Sequence, residues 1–197
     1  MAIDHLARAA LAFAFVATLV AYPYARPEMP PLVAFALPLA AAAIWWLLAQ
    51  LSQHSTPRAR RAGGAGAMTA LFLSAFHLTM LAAFIGAHFW LGRVLGLIVG
   101  VFLILTGNEL PRLRPNLVWG IRTPQTLASE DVWRRVHRLG GYVRVVMGTG
   151  VSAASVTGVE WFAQLIPLAL CVETVLCFGA GMIFSRQQST VVLHGRP

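Results

Sequence analysis

The chain has 197 residues, of which 58% are hydrophobic and only 11% charged, and its formal charge of +8 comes from arginine with no lysine at all. A soluble domain averages about 25% charged residues, so this composition excludes a water-soluble fold of ordinary surface. A nucleic-acid binder displays its cations on a folded soluble face, whereas here the arginines sit between long apolar runs, the pattern of membrane loops; nucleic acid is therefore excluded as a partner.

A membrane helix takes about 20 apolar residues, with a range of about 17–25. The first run covers 6–22. It has no small-residue cleavage site followed by a soluble domain, so it reads as an uncleaved span. A proline-rich break follows at Pro23, Pro27, Pro30 and Pro31, and the second run covers 32–51, with Trp45 and Trp46 placed toward an interface. After a polar stretch holding Arg58, Arg60 and Arg61, the third run spans 67–90. A short turn at Gly92 and Arg93 leads into the fourth, 94–106. Residues 107–138 are the longest polar segment. The fifth run covers 139–157, a break at Gly158, Glu160 and Trp161 follows, and the sixth covers 162–184 before a polar tail expected to be mobile.

The expected architecture is all-α: a polytopic membrane protein of six transmembrane helices forming one domain, with a short amphipathic interfacial helix between the fourth and fifth. Charge asymmetry orients it. With the N-terminus in the cytoplasm, 13 of the 15 arginines fall on the cytoplasmic side, Arg144 counted among them, and only Arg26 and Arg93 fall outside. The positive-inside rule then places both termini in the cytoplasm. Cys171 and Cys177, six residues apart on one helix, do not share a face and read as reduced core residues. Gly92, Gly96 and Gly100 form a small-residue stripe on the fourth helix. Such a stripe lets two helices approach closely, either as a face between two copies of the chain or, the preferred reading, against a neighbouring helix of the same chain.

The segment from Gly107 to Gly141 is dense in structural signals. Pro111, Pro115 and Pro124 fix φ and remove donors, and Gly120 permits a turn. Asn108, Asn116, Thr123 and Thr126 are suited to turn and cap bonds. Ser129, followed by Glu130 and Asp131, reads as a helix start, with a cap and two acids at the positive end of the dipole. Trp133, His137 and Arg144 fall near one face of that helix, and Gly140-Gly141 is where it is expected to bend into the fifth span. Arg112, Arg114, Arg122, Arg134, Arg135 and Arg138 form a basic surface. Anionic headgroups attract such residues by about 1 kcal/mol each, and arginine also forks onto phosphate or carboxylate. Lipid anchoring and docking of an acidic cytoplasmic partner are both open.

The order Gly107, Asn108, Pro111, Arg114, Pro115, Asn116, Gly120, Ile121, Arg122, Thr123, Pro124, Thr126, Leu127, followed by Trp133, His137, Arg138 and Gly140, resembles the SdpI family of multi-span membrane proteins. The resemblance implies a bacterial inner-membrane protein whose role is immunity to, or sensing of, a membrane-active peptide toxin. No HExxH, GxSxG or phosphate-loop pattern appears, so neither enzymatic activity nor a cofactor is expected, and the basic surface makes membrane lipids and a cytoplasmic regulator the other expected partners. One departure is visible: members of the family often carry a longer external loop with a His-Trp-Asn-like motif after the first span, and here only Pro23–Pro31 stands there.

Two ionisable residues fall near mid-depth, His77 in the third run and Glu173 in the sixth. Charge at that depth is costly, so such groups turn inward and find partners. If the third and sixth helices touch, His77 and Glu173 can pair, either as a neutral structural contact or as the site of a small transporter or lipid-handling protein. No metal site is expected, because ligands are too few and His88 lies roughly 16 Å from His77 along the helix.

Overall fold

The computed structural model describes residues 2–24, 30–53, 60–86, 91–116, 119–157 and 162–194. Several features read from the sequence lie outside these residues: Arg26, Arg58, His88, Arg196 and the break at Gly158, Glu160 and Trp161. Among the described residues the fold is all-helical, with no strand. In chain order it comprises α1 (Ala2–Ala21), α2 (Pro31–Gln53), α3 (Arg60–Phe84), α4 (Leu91–Glu109), α5 (Pro124–Ala128), α6 (Glu130–Thr157) and α7 (Phe162–His194), with single 3-10 turns after α1 and α4.

Among the described residues, four stretches are long and apolar enough to cross a membrane: Ile3–Tyr24, Gly66–Phe84, Leu91–Arg112 and Ile166–Gln187; α2 adds a shorter apolar stretch, Ala34–Gln50. The chain is therefore a membrane protein. Exposed Phe13, Val20, Val146, Val175 and Ile183 fit this, since lipid rather than water meets such side chains.

The helices pack as two groups joined along α3 and α4. In the first, α1 and α2 both lie on α3. Small residues make that contact close: Ala7, Ala67 and Ala70 are fully buried, with Ile3, Leu11, Trp45 and Leu71 around them. Arg8 lies over the Trp45 ring at 5.3 Å. In the second group α6 is sandwiched between α4 and α7, and α4 with α6 forms the most extensive interface of the molecule. The reason is a pair of facing glycines at each of two levels. A Cβ on Gly148 would lie 2.6 Å from the Gly100 carbonyl oxygen, and one on Gly141 would lie 2.7 Å from that of Gly107. Each helix supplies its two glycines seven residues apart, and the pairing Gly100 with Gly148, Gly107 with Gly141 runs antiparallel. Lipid gives no hydrophobic force between helices, so this backbone approach is what holds them.

Of the small-residue stripe on α4, Gly96 and Gly100 are buried and Gly100 packs against Gly148 of the same chain, as the preferred reading has it, while Gly92 is exposed and Gly107 joins the contact. Three expectations are corrected here. The helix that begins at Glu130 does not bend at Gly140-Gly141 but continues unbroken to Thr157. Those glycines stay helical because both are covered by neighbours, Gly140 by Ile121 and Cys177, Gly141 by Pro111 and the Gly107 backbone. The segment from Ser185 continues α7 as helix to His194, since no proline or glycine interrupts it. Finally, Cys171 is exposed and only Cys177 is buried.

Candidate functional site

The polar connection between α4 and α6 folds into a defined unit against the start of α6. Pro111 converts the end of α4 into a 3-10 turn, Leu110–Arg112, closed by Leu113 N–H donating to the Leu110 carbonyl at 3.1 Å. Asn116 then staples the next turn: its Oδ1 accepts from Trp119 N–H at 2.7 Å and its Nδ2 donates to the Arg114 carbonyl at 2.8 Å. Gly120 takes φ +119°, a conformation side chains rarely adopt, and a Cβ there would collide with His137 and Trp133.

The chain next enters α5 through a reciprocal cap. Thr123 Oγ1 accepts from Thr126 N–H at 3.2 Å, and Thr126 Oγ1 accepts from Thr123 N–H at 2.9 Å, with Pro124 at the first helical position. The Thr126 hydroxyl also reaches the Ile121 carbonyl at 2.9 Å, and the residue is fully buried. Ser129 then starts α6 as expected, its Oγ accepting from Val132 N–H at 3.4 Å with Glu130 and Asp131 in the first turn.

Trp133 and His137 hold this connection down. Both are fully buried, and their rings stack at 3.9 Å with 18° between planes. Trp133 Nε1–H donates to the Leu113 carbonyl at 2.9 Å, reaching 20 residues back along the chain. His137 Nε2 accepts from Ile121 N–H at 3.0 Å, which requires the ring proton on Nδ1, where it meets the Trp133 carbonyl at 2.9 Å. Burial, opposed by that carbonyl and reinforced by the Arg144 charge, pushes the imidazole down to about 4. The ring is therefore a neutral clasp between connection and helix. Leu110, Leu113 and Trp133, with Trp119 and Ile121, form the apolar seal beneath it.

Of the residues singled out in the motif, Asn116, Gly120, Thr123, Pro124, Trp133 and His137 are thus brought together as one structural unit, and Pro111 caps Gly141. Asn108 and Pro115 are exposed, as are Arg114, Arg122 and Arg138. Within the basic surface Arg112 meets Glu109 at 2.9 Å, and Asp131 takes Arg134 at 3.4 Å and Arg135 at 2.8 Å. Exposed pairs of this kind add little stability.

Below the connection lies a feature that sequence reasoning missed. Arg144 of α6 and Glu173 of α7 form a close ion pair, with Nε at 2.8 and 3.0 Å from the two carboxylate oxygens and Nη2 at 2.7 Å from Oε1. Their side chains are 22% and 8% exposed. The signal was present: Arg144 falls six positions inside the fifth apolar run, a base at a depth comparable to that of the acid. The His77–Glu173 pairing is overturned by the packing. Helix α3 packs on α1, α2 and α4, whereas α7 packs on α6, α4 and α5. His77, 2% exposed, instead bonds through Nε2 to Thr18 Oγ1 at 2.8 Å, and Thr18 donates onward to the Ala14 carbonyl. Each ionisable group is therefore satisfied within its own half of the molecule.

A cleft of about 220 Å³ adjoins the ion pair, bounded by Ile121–Thr123 of the connection, Arg144 of α6, and Leu170, Glu173, Thr174, Cys177 and Phe178 of α7. Among the described residues no group of three or more histidine, cysteine or carboxylate side chains could hold a metal.

Residues 112–185 match the model of the SdpI/YfhL protein family. The chain is also similar to the protein named immunity protein SdpI of Bacillus subtilis (strain 168), with 31% identity over 112 residues, covering 55% of this chain and 54% of the relative. The chain thus spans about half the length of the curated relative it matches. No solved structure matches it. Residues 112–141 of the pattern read from the sequence, α5, α6 and most of α7 fall within the residues that match the family model, while Gly107, Asn108 and Pro111 lie just before them.

Proposed function

We propose that this chain is a non-enzymatic immunity protein of the bacterial inner membrane that protects its host against a membrane-active peptide. One observation carries the reading: the part of the chain with the most elaborate folded architecture is the part that matches the family model, and the same family includes a protein named for immunity. A connection locked by Asn116, the Thr123–Thr126 cap and the Trp133–His137 clasp is a surface of fixed shape, suited to recognition rather than tethering.

The proposed topology has six crossings with both termini in the cytoplasm. It rests on the 13-to-2 division of arginines. It also needs α6 to cross in spite of its arginines, and their positions allow this. Arg134, Arg135 and Arg138 are exposed in its first turns, and Arg144 is neutralised by Glu173. The remainder, 139–157, is about 28 Å long, close to the hydrocarbon thickness of about 30 Å. The connection, with Arg114, Arg122 and Arg138 on its surface, then faces the cytoplasm and offers a basic face to an acidic regulator or to headgroups.

Two strains test the role, one lacking the gene and one expressing it in a sensitive background, both challenged with a panel of membrane-active peptides. Protection tied to the gene, with the peptide recovered intact from the medium, is the expected result. Unchanged survival across the panel overturns immunity, and degraded peptide overturns the non-enzymatic reading. A transporter built on His77 and Glu173 is not retained, because the two groups are engaged separately.

A further inference from the structure

A groove of about 420 Å³ runs along the seam between α3 and α4, and all its lining side chains are apolar. Phe72 of α3 and Phe102 of α4 stack across the seam at 4.3 Å, with 27° between planes, and close it underneath. From there the groove extends one way to Leu105 and Ile3 and the other way to Ala75 and Leu97. The first end lies where all three helices turn polar: Asp4 follows Ile3 in α1, Arg60 and Arg61 begin α3, and Asn108 and Glu109 end α4. The other end, at Leu97, is eight residues back along α4 from Leu105, or about 12 Å. Half the hydrocarbon thickness of a bilayer is about 15 Å. The groove therefore runs from the polar boundary toward the middle of the membrane.

Its shape selects a single chain over a helix. Helices in contact have axes about 8–10 Å apart, so the furrow between α3 and α4 is about one side chain wide. A helix with its side chains is about 10–12 Å across and does not enter. Its chemistry selects hydrocarbon, because a polar ligand would lose its hydrogen bonds against a lining of apolar side chains. The groove is also continuous with the lipid-facing surface, since Val101 and Leu105 on its rim are 47% and 46% exposed. Val101, Leu105 and Asn108 stand at i, i+4 and i+7, so they share one face of α4. Two apolar residues are thus followed by an exposed amide, a neutral group that both donates and accepts. That is the order of a phospholipid read from chain to ester. Lipid supplies no hydrophobic force for this contact, because the chain already lies in hydrocarbon. The gain is dispersion against two walls and a floor where a flat helix face offers one.

We propose that this groove is a resident site for one acyl chain of a phospholipid, with the chain end beside Ala75 and Leu97 and the ester region at Asn108. Because Asn108 is neutral and the lining apolar, the site selects by chain and not by headgroup charge. It is separate from peptide immunity and is measured without any peptide.

The test is photolabelling of the full chain in phosphatidylcholine vesicles that contain a trace of phosphatidylcholine with a diazirine at the end of one palmitoyl chain, the labelled residues being located by mass spectrometry. Val146 and Val175 are the reference, since at 68% and 70% exposed they meet bulk lipid more openly than Val101 or Leu105. Labels on the groove residues should exceed those on the reference residues at least about fivefold. Moving the diazirine next to the ester should shift them from Ala75 and Leu97 toward Leu105 and Asn108, and the phosphatidylglycerol counterpart should give the same pattern. Ala75→Leu, which fills the inner end, should remove the excess at Leu97 and leave Val146 and Val175 unchanged; the wild-type pattern decides the matter even if that variant fails to fold. Labelling in proportion to exposure is ordinary bilayer contact and overturns the proposal, as does a pattern that follows headgroup charge. A disulfide between two chains of Val101→Cys in a Cys171→Ser background would mean that a second copy covers the groove, and also overturns it.

Discussion

Acidification should open the connection by protonating His137. Its imidazole is buried and accepts the Ile121 N–H at 3.0 Å through Nε2. Protonation would set two donors against each other there. The folded-state value is pushed from 6.5 down to about 4. In that window the opened state binds a proton that the closed state refuses, so stability is full above pH 6.5 and falls as pH drops toward 4. Each tenfold difference in proton affinity is worth about 1.4 kcal/mol, so the loss reaches about 3 kcal/mol at the bottom of the window and about 2 kcal/mol by pH 5. A loss of about 2 kcal/mol corresponds to roughly a thirtyfold rise in the opening constant. Hydrogen–deuterium exchange of a peptide covering 119–123, corrected for intrinsic rates, reads that constant at pH 7 and pH 5. The control is His137→Gln, which offers Ile121 an acceptor oxygen and cannot titrate. Its exchange should lack the extra acceleration. Identical pH profiles for the two proteins would refute the clasp.

Three further outcomes follow from the packing. Gly148→Leu should force α4 and α6 apart, since even its Cβ falls 2.6 Å from the Gly100 carbonyl, and should cost at least about 1–3 kcal/mol in thermal stability measured in detergent; Gly150→Ala, where nothing lies within 4 Å, should be neutral or slightly stabilising. Thr126→Val removes the acceptor for Thr123 N–H and the donor to Ile121, so about 1–2 kcal/mol should be lost, seen as faster exchange in α5. Glu173→Gln leaves Arg144 uncompensated and should destabilise by up to about 3 kcal/mol, less than a fully buried pair because Arg144 retains some exposure, while Arg144→Gln combined with Glu173→Gln should recover much of the loss.

Features that depend on neighbours in sequence were legible without coordinates. Ser129 with two following acids announces the start of α6, whereas the extension of α4 to Glu109 and the short α5 that opens at Pro124 were not read from the sequence. The i, i+4 spacing of Trp133 and His137 gives their shared face, and the rings do stack. What escaped depends on which helices touch. His77 and Glu173 look like partners because both are ionisable at comparable depth, yet a transverse contact chooses Thr18 for one and Arg144 for the other. The glycines show the same limit. Gly92, Gly96 and Gly100 are evenly spaced, but the facing helix presents Gly141 and Gly148, and that partner selects Gly100 and Gly107. Gly140-Gly141 resembles a hinge in sequence and is helical because Pro111, Ile121 and Cys177 leave it no room.

The clasp also has a direction in time. Ile121 N–H finds its acceptor 16 residues later in the chain, and the Leu113 carbonyl finds its donor 20 residues later. During synthesis the connection therefore emerges before anything exists to close it, and it stays open until the first turns of α6 have followed. Gly107 must in turn wait for Gly141. Closure of this segment records that α4 and α6 have both arrived and met, so a basic surface of fixed shape is displayed only by copies whose helices are correctly assembled.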